Sequence, residues 1–597
     1  MEQPGVPAHL RGLVVQQDYA QYTEVDQAVW RFVVMQAYRR LCQSAHSAYA
    51  QGFTAAGIEV ERIPRIEQMS ERLASSGWRA VCVDGFIPPR AFQAFQARGV
   101  LPIAADIRRV EHLAYTPAPD IVHEAAGHAP LLADPAYGRF VRRIGRVGER
   151  AFANRADSEL YQAIYTLSEL KERPDSTPAQ IALAEAAVLR AQRAITVPSE
   201  AGKLARLYWW TVEYGLIGTP EDYRLYGAGL LSSLGEAHFC HDPSVRKLPL
   251  SAACIDVDYD ITRAQPQLFV TESFEQLDDV LEQVDRGLSH ARGGEHALAA
   301  ALASEELATF ELDSGAELSG VLSAVHGDGG EPLWLELSGR CALGCAGQLL
   351  RGLPQSEGMV QPLGVRGDGA PLDALDPFAL ARSLDAHGQL LLALHNGLCI
   401  EGALIRPVLG AHGRVIALLL ERAQVTRGDQ RLARVEHPHV LALGRRVVTA
   451  VPGALDGYHP ESEFSQLRVP KPSDASAAQR QLRALYEHAL EAWRSRTGSE
   501  VVARFEQIAD RLDAEFADDW LLRFNLLESL VKLGEGDELA GRLERELERL
   551  EIRYAHRQPI ATGLRYVRAI GGEADAPEPH PDTEPDAEPD PRPGEPR

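Results

Sequence analysis

The chain is poor in cysteine and short of positive charge, and each shortage excludes something. Its seven cysteines (Cys42, Cys82, Cys240, Cys254, Cys341, Cys345 and Cys399) are scattered over 597 residues. They are too sparse, and odd in number, for a disulfide framework, so a reducing cytoplasmic setting is expected. Lysine and arginine number 61 against 84 aspartates and glutamates, a formal net charge of −23. Such a surface repels polyphosphate backbones and anionic bilayers, so neither nucleic acid nor a membrane is an expected partner. The sequence also lacks any apolar run of about 18 residues, the length a spanning helix needs. The opening MEQPGVPAHLRG has no basic stretch leading into an apolar one, and no signal peptide is expected. What remains, 45% hydrophobic and 24% charged, is a globular composition with length for two or three cores.

The texture changes along the chain. Residues 13–296 read as a mainly α-helical domain; Val29, Trp30, Val33, Val34 and Leu41, for example, recur at helical spacing. A short strand is expected at Arg79 to Val83, before Asp84-Gly85 and Pro88-Pro89. Residues 297–473 turn to short Leu/Val/Ala runs punctuated by Ser314-Gly315 and Asn396-Gly397, a β-rich domain. Within it LDSGAELSGVL (312–322) and LHNGLCIEGAL (394–404) align without gaps, as two related β units would. His437-Pro438-His439 reads as a loop with two exposed histidines, and Cys341 and Cys345 as structural. Helical periodicity returns over 474–570, and the acidic, proline-rich residues 571–597 are expected to be disordered.

The sharpest motif is PDIVHEAAGHAPLLADP, 119–135. Histidines four apart share a helix face, whereas His123 and His128, five apart, are splayed by about 140° on an undistorted helix. Gly127 and Pro130 are therefore expected to end or bend the helix so that His128 returns toward His123, with Asp120 as N-cap. In LYWWTVEYGLI (207–217), Glu213 interrupts an apolar helix, and a buried carboxylate calls for a cation. Two imidazoles and a carboxylate make a facial triad for non-haem iron(II) with open positions; zinc with a bound water is the alternative.

These segments, with YGAGLLSSLGEAHFC (226–240) and QPQLFVTESF (265–274), resemble the pterin-dependent aromatic amino acid hydroxylases, above all the bacterial phenylalanine-hydroxylating branch. The resemblance covers about residues 13–290. It implies iron(II) on His123, His128 and Glu213, and tetrahydrobiopterin or a related reduced pterin near Phe92 and Glu124. It also implies an amino acid site of Arg108, Thr116, Pro119, Trp209, Gly229 and Ser232, with Arg108 on the carboxylate. Tyr208 lines the iron site, and Glu124 and Tyr208 are the implied catalytic residues. The implied reaction is hydroxylation of L-phenylalanine to L-tyrosine by O2 through a ferryl-oxo species, with tryptophan or tyrosine as alternative substrates.

An inactive metal-binding scaffold and a zinc hydrolase are the readings from other classes. The His128-to-Glu213 interval exceeds the family's usual one. The excess includes a capped helix at 176–195 that is expected to cover the site or mediate association. The amino-terminal regulatory domain of animal relatives is not expected. The carboxyl-terminal region is the expected route to a homo-oligomer.

Overall fold

The computed structural model describes residues 6–113, 119–172, 176–260, 264–328, 330–372, 376–410, 413–456, 476–495, 498–553 and 557–571. The tail expected to be disordered lies, from residue 572 on, outside the described residues. The chain forms two compact units, 1–480 and 481–597.

The first unit begins with the helix Glu24–Ser44, started by a Thr23/Asp26 capping box; Val29, Trp30, Val33, Val34 and Leu41 are all buried on it. The expected strand Arg79–Val83 forms and pairs in parallel with Val100–Ala104. The helix Pro89–Ala97, with proline at its first turn, makes the crossover between them. A second, four-stranded sheet contains Leu216–Gly218, Tyr223–Leu225, Arg246–Pro249 and Gln267–Thr271. Everything else described up to about residue 304 is helix or loop, so the mainly α-helical expectation describes this part well.

The excess chain between the two motifs is a helical hairpin. Arg155–Glu172 packs against Pro178–Ala194 through Leu160, Ala163, Ile164 and Leu167 on one side and Ile181, Ala184 and Val188 on the other. The second helix opens with a Thr177/Gln180 capping box and Pro178 at its first position. Leu183 and Leu189 point away from that seam into solvent.

The β-rich part is two antiparallel sheets. One runs Gln348–Leu349, Glu331–Cys345, Ala316–Asp328, Leu307–Leu312, Val447–Pro452. The other runs Gln389–Ala393, Leu398–Leu409, Val415–Arg427, Gln430–Val435. The two aligned sequence segments occupy equivalent places. Each begins at the end of a short strand, turns on a positive-φ glycine (Gly315, +82°; Gly397, +83°), and enters a long strand. The matched Gly320 and Gly402 sit opposite Ala308 and Leu390 of their short strands, and in each long strand the register with the following strand shifts beside them. Gln361 joins the sheets, donating to the Ala442 carbonyl and accepting its N–H at 2.8 and 3.1 Å.

His439 departs from expectation. It opens the strand His439–Ala442 and is 3% exposed, and burial pushes its imidazole down to about 4. Only His437 of that pair is exposed. The apolar context of the following Val440 and Leu441 wins over the Pro438 loop signal.

The boundary expected at 296/297 falls inside the helix Gly294–Ser304, whose Ala297, Leu298 and Ala301 belong to the β-rich core together with Phe152. Glu200 adds polar links, accepting the Phe152 N–H, the Ser289 N–H and the Ser289 hydroxyl. The second unit is helical: Ala477–Ser495, Gly498–Glu515, Leu521–Leu533, Asp537–Arg553 and Arg557–Ile570. Its buried Arg523 is held by Asp513, and its buried Glu528 by Lys532 and Tyr566. No described helix is long and apolar enough to cross a membrane.

Candidate metal and substrate site

Both segments expected to supply metal ligands are π-helical. Val122–His128 winds as a π-helix and passes directly into a 3-10 turn, Ala129–Ala133. Glu213 closes a second π-helix, Trp209–Glu213, that continues Glu200–Tyr208. This corrects the expected helix end at Gly127. A helix hydrogen-bonded from i to i+5 brings residues five apart back to one face, so widening the helix does what a break was expected to do. Asp120 does cap the start, its Oδ1 accepting the His123 N–H at 3.0 Å.

Gly127 has another duty. A Cβ there would lie 2.7 Å from the Ala228 carbonyl oxygen, so the glycine admits the short helix Ala228–Ser232 against the π-helix. Gly229, implied as a substrate residue, plays the same part on the other side, where a Cβ would meet the Tyr214 ring at 2.9 Å and the Glu213 carbonyl at 3.1 Å. The helix Ala228–Ser232 is thereby wedged between the two ligand-bearing segments.

The result is one cluster. His123 Nε2 is 3.2 Å from Glu213 Oε2, His128 Nε2 is 3.2 Å from Glu213 Oε1, and the two Nε2 atoms are 3.1 Å apart. Burial works to raise the Glu213 carboxyl, but the two histidines overcome it and hold it well below its usual range. An ionised carboxylate and two imidazoles converging at these distances suit one small divalent cation bound at about 2.1 Å. Among the described residues this is the one such group of histidine, cysteine and carboxylate side chains.

Ser232 fixes the orientation of His123. Its hydroxyl has a single proton, donated to the Ala228 carbonyl at 2.7 Å. It must then accept from His123 Nδ1–H at 2.9 Å, which leaves Nε2 as the lone-pair nitrogen facing the cluster. The side chain implied as a substrate contact thus holds an imidazole of the cluster.

Arg108 is 1% exposed and already engaged. Its Nε and Nη2 donate to the two oxygens of Asp120 at 2.8 and 2.7 Å, and Nη1 donates to the Ser232 carbonyl at 3.2 Å. Burial would raise the Asp120 carboxyl, but the Arg108 charge and hydrogen bonds keep it below the usual value. Among the described residues these bonds engage three of the five guanidinium donors.

Around His128 stand the other implied residues. Glu124 is buried, with Oε2 at 3.8 Å from His128 Nε2 and without a hydrogen-bond partner. Burial pushes its carboxyl up to about 8, with Glu213 and Asp120 adding to the rise against the opposing His128. The half-buried Phe92 ring lies 6.3 Å from His128 and edge-on to Tyr208 at 6.4 Å. Tyr208 Oη accepts from the buried Gln96 at 2.7 Å, and burial raises its phenol well above the ordinary value.

Trp209 stacks on Tyr214 at 4.6 Å and on Tyr259 at 4.4 Å. Pro119 is half-buried beside Asp120, while Thr116 lies outside the described residues. Sequence reasoning did not single out Gln96 or Tyr259. A glutamine on the buried face of an amphipathic helix was a readable signal for Gln96. Tyr259 carried none, being remote from every motif.

Comparison with known proteins follows this geometry. The family profile "Biopterin-dependent aromatic amino acid hydroxylase" matches residues 15–165 and 194–291. The phenylalanine-4-hydroxylase of Ralstonia nicotianae is 30% identical over 268 residues, covering 44% of this chain and 72% of that protein. That of Chromobacterium violaceum is 29% identical over 261 residues, 43% of this chain and 73% of the relative. A crystal structure of the Chromobacterium violaceum enzyme with bound iron(III) and 7,8-dihydrobiopterin aligns at 27% identity, covering 47% of this chain and 86% of the other, with a TM-score of 0.37. The chain belongs to the biopterin-dependent aromatic amino acid hydroxylases. It is an aromatic amino acid monooxygenase, which sets aside the hydrolase and inactive-scaffold readings.

Proposed function

We propose that the chain hydroxylates L-phenylalanine to L-tyrosine, using iron(II) on His123, His128 and Glu213, a tetrahydropterin beside Phe92 and Glu124, and dioxygen. The observation that carries this reading is the buried convergence of two imidazoles and an ionised carboxylate, with donor atoms 3.1–3.2 Å apart, in a chain whose relatives are phenylalanine-4-hydroxylases. Iron(II) and reduced pterin together supply the activation of dioxygen and the electrons for one-oxygen insertion.

The protein's own residues do the rest. Ser232 holds the His123 tautomer with Nε2 toward the cluster. Glu124, whose carboxyl burial pushes up to about 8, stands beside His128, and its Oε2, without a hydrogen-bond partner among the described residues, suits a polar edge of the pterin. Phe92 offers the stacking face next to it. Asp120 orients the planar Arg108 guanidinium, which suits the carboxylate of the amino acid. The Trp209, Tyr214 and Tyr259 stack forms an aromatic wall on the Glu213 segment that suits the substrate ring.

Product analysis with phenylalanine, tryptophan and tyrosine in parallel tests the substrate. Tyrosine formed from phenylalanine with the highest kcat/KM of the three supports the proposal. A higher kcat/KM for tryptophan or tyrosine overturns it.

A further inference from the structure

The helical hairpin that lengthens the interval between the ligand motifs does not pack only on itself. The family profile matches the first helix as far as residue 165, Tyr161 included, and leaves out residues 166–193, the end of that helix and nearly all of the second. Its first helix, Arg155–Glu172, lies on the loop that joins the strand Arg79–Val83 to the helix Pro89–Ala97. Tyr161 Oη donates to the Phe86 carbonyl at 2.9 Å, and the Tyr161 ring packs on the Phe86 ring at 5.4 Å. One turn further on, Tyr165 packs against Tyr161 at 6.2 Å. A Cβ at the positive-φ Gly85 would come within 3.7 Å of Glu169 Oε1, so the helix lies close to the loop at Gly85 as well as at Phe86.

That loop feeds the helix carrying Phe92. A six-residue step from Phe86 to Phe92 through Pro88 and Pro89 gives little slack, because both prolines fix φ. The hairpin is itself braced by the second helix through the Leu167, Ala184 and Val188 seam and the Lys171–Glu185 ion pair at 3.0 Å.

We infer that the first helix of the hairpin is a strap that sets the position of the pterin-side wall, with Tyr161 as a positioning residue acting through Phe86 on Phe92. The inference rests on the proposed place of the pterin at Phe92. Tyr161→Phe keeps the ring packing and removes one neutral hydrogen bond, so KM for tetrahydropterin rises roughly three- to tenfold. KM for the amino acid and kcat stay at wild-type values, and Tm falls by no more than a few degrees. Tyr161→Ala, which also removes the ring contact, extends the same selective rise.

Unchanged pterin KM in both variants overturns the strap while Phe92→Ala still raises it. Parallel losses in both KM values and kcat, with a larger fall in Tm, also overturn it, since that pattern marks a merely structural contact. If Phe92→Ala too leaves pterin KM unchanged, the place assigned to the pterin fails instead.

Discussion

Ser232, expected at the amino acid site, touches His123. Its one proton, committed to Ala228, dictates which imidazole nitrogen is free, so removing the hydroxyl loosens a ligand without removing it. Ser232→Ala is expected to weaken iron(II) binding about ten- to a hundredfold, the usual cost of losing a partner that orients a metal ligand. Titration against a competing chelator measures it, and unchanged affinity would show that the ring needs no such support. Away from the cluster, Glu236 is buried, and that burial alone lifts its carboxyl to about 7. The folded state then binds this proton more tightly than the unfolded chain. Its contribution is intact below the ordinary carboxylate value of 4.5, is lost as pH rises toward 7, and leaves a charged buried group above that. Glu236→Gln should therefore change stability little at pH 5 and raise it by up to about 3 kcal/mol at pH 8.5. Thermal unfolding at the two pH values checks the sign.

Two π-helices and one short helix between them make the site, and this is where sequence reading was both strong and incomplete. The three converging residues could be read because chemistry restricts them: two histidines near each other and a glutamate in an apolar helix are the side chains a buried cation calls for. The winding could not, because a π-helix is the same residues with one more per turn, stabilised by what packs beside it rather than by any local propensity. Gly127 illustrates this. Its φ is not positive, so it is present for the approach of Ala228 rather than for a chain break. Gly127→Ala would place a methyl against a backbone carbonyl that cannot rotate away, and a loss of about 1–3 kcal/mol is expected from such overpacking. Chemical denaturation gives the value; a neutral substitution would mean that the Ala228–Ser232 helix can slide. In the β-rich part the glycine turns at Gly315 and Gly397 were legible, since only a positive φ explains glycine there, whereas strand His439–Ala442 was hidden behind Pro438.

At the scale of the molecule, composition and texture indicated helical, β-rich and helical stretches in the right order, but not that the first two share a core. Phe152, a loop residue in the catalytic part, belongs to one buried cluster with Phe310, Leu312 and Leu318 of the β-rich part, a grouping of positions some 160 residues apart that no local pattern encodes. A chain cut after residue 296 would end inside the helix Gly294–Ser304 and bare Phe152. It is expected to be poorly soluble, with a Tm well below that of the whole protein. A chain cut after residue 475 keeps every residue of the cluster and the shared core, and should retain kcat and iron content; loss of both would assign the carboxyl-terminal helices a part in the reaction. The central claim is tested most directly by oxygen uptake coupled to product formation, using anaerobically iron(II)-loaded protein with an aromatic amino acid. The account predicts hydroxylated amino acid formed only when tetrahydropterin is present, and none from His123→Ala or Glu213→Ala. Hydroxylation that persists without pterin, or in either variant, would contradict it.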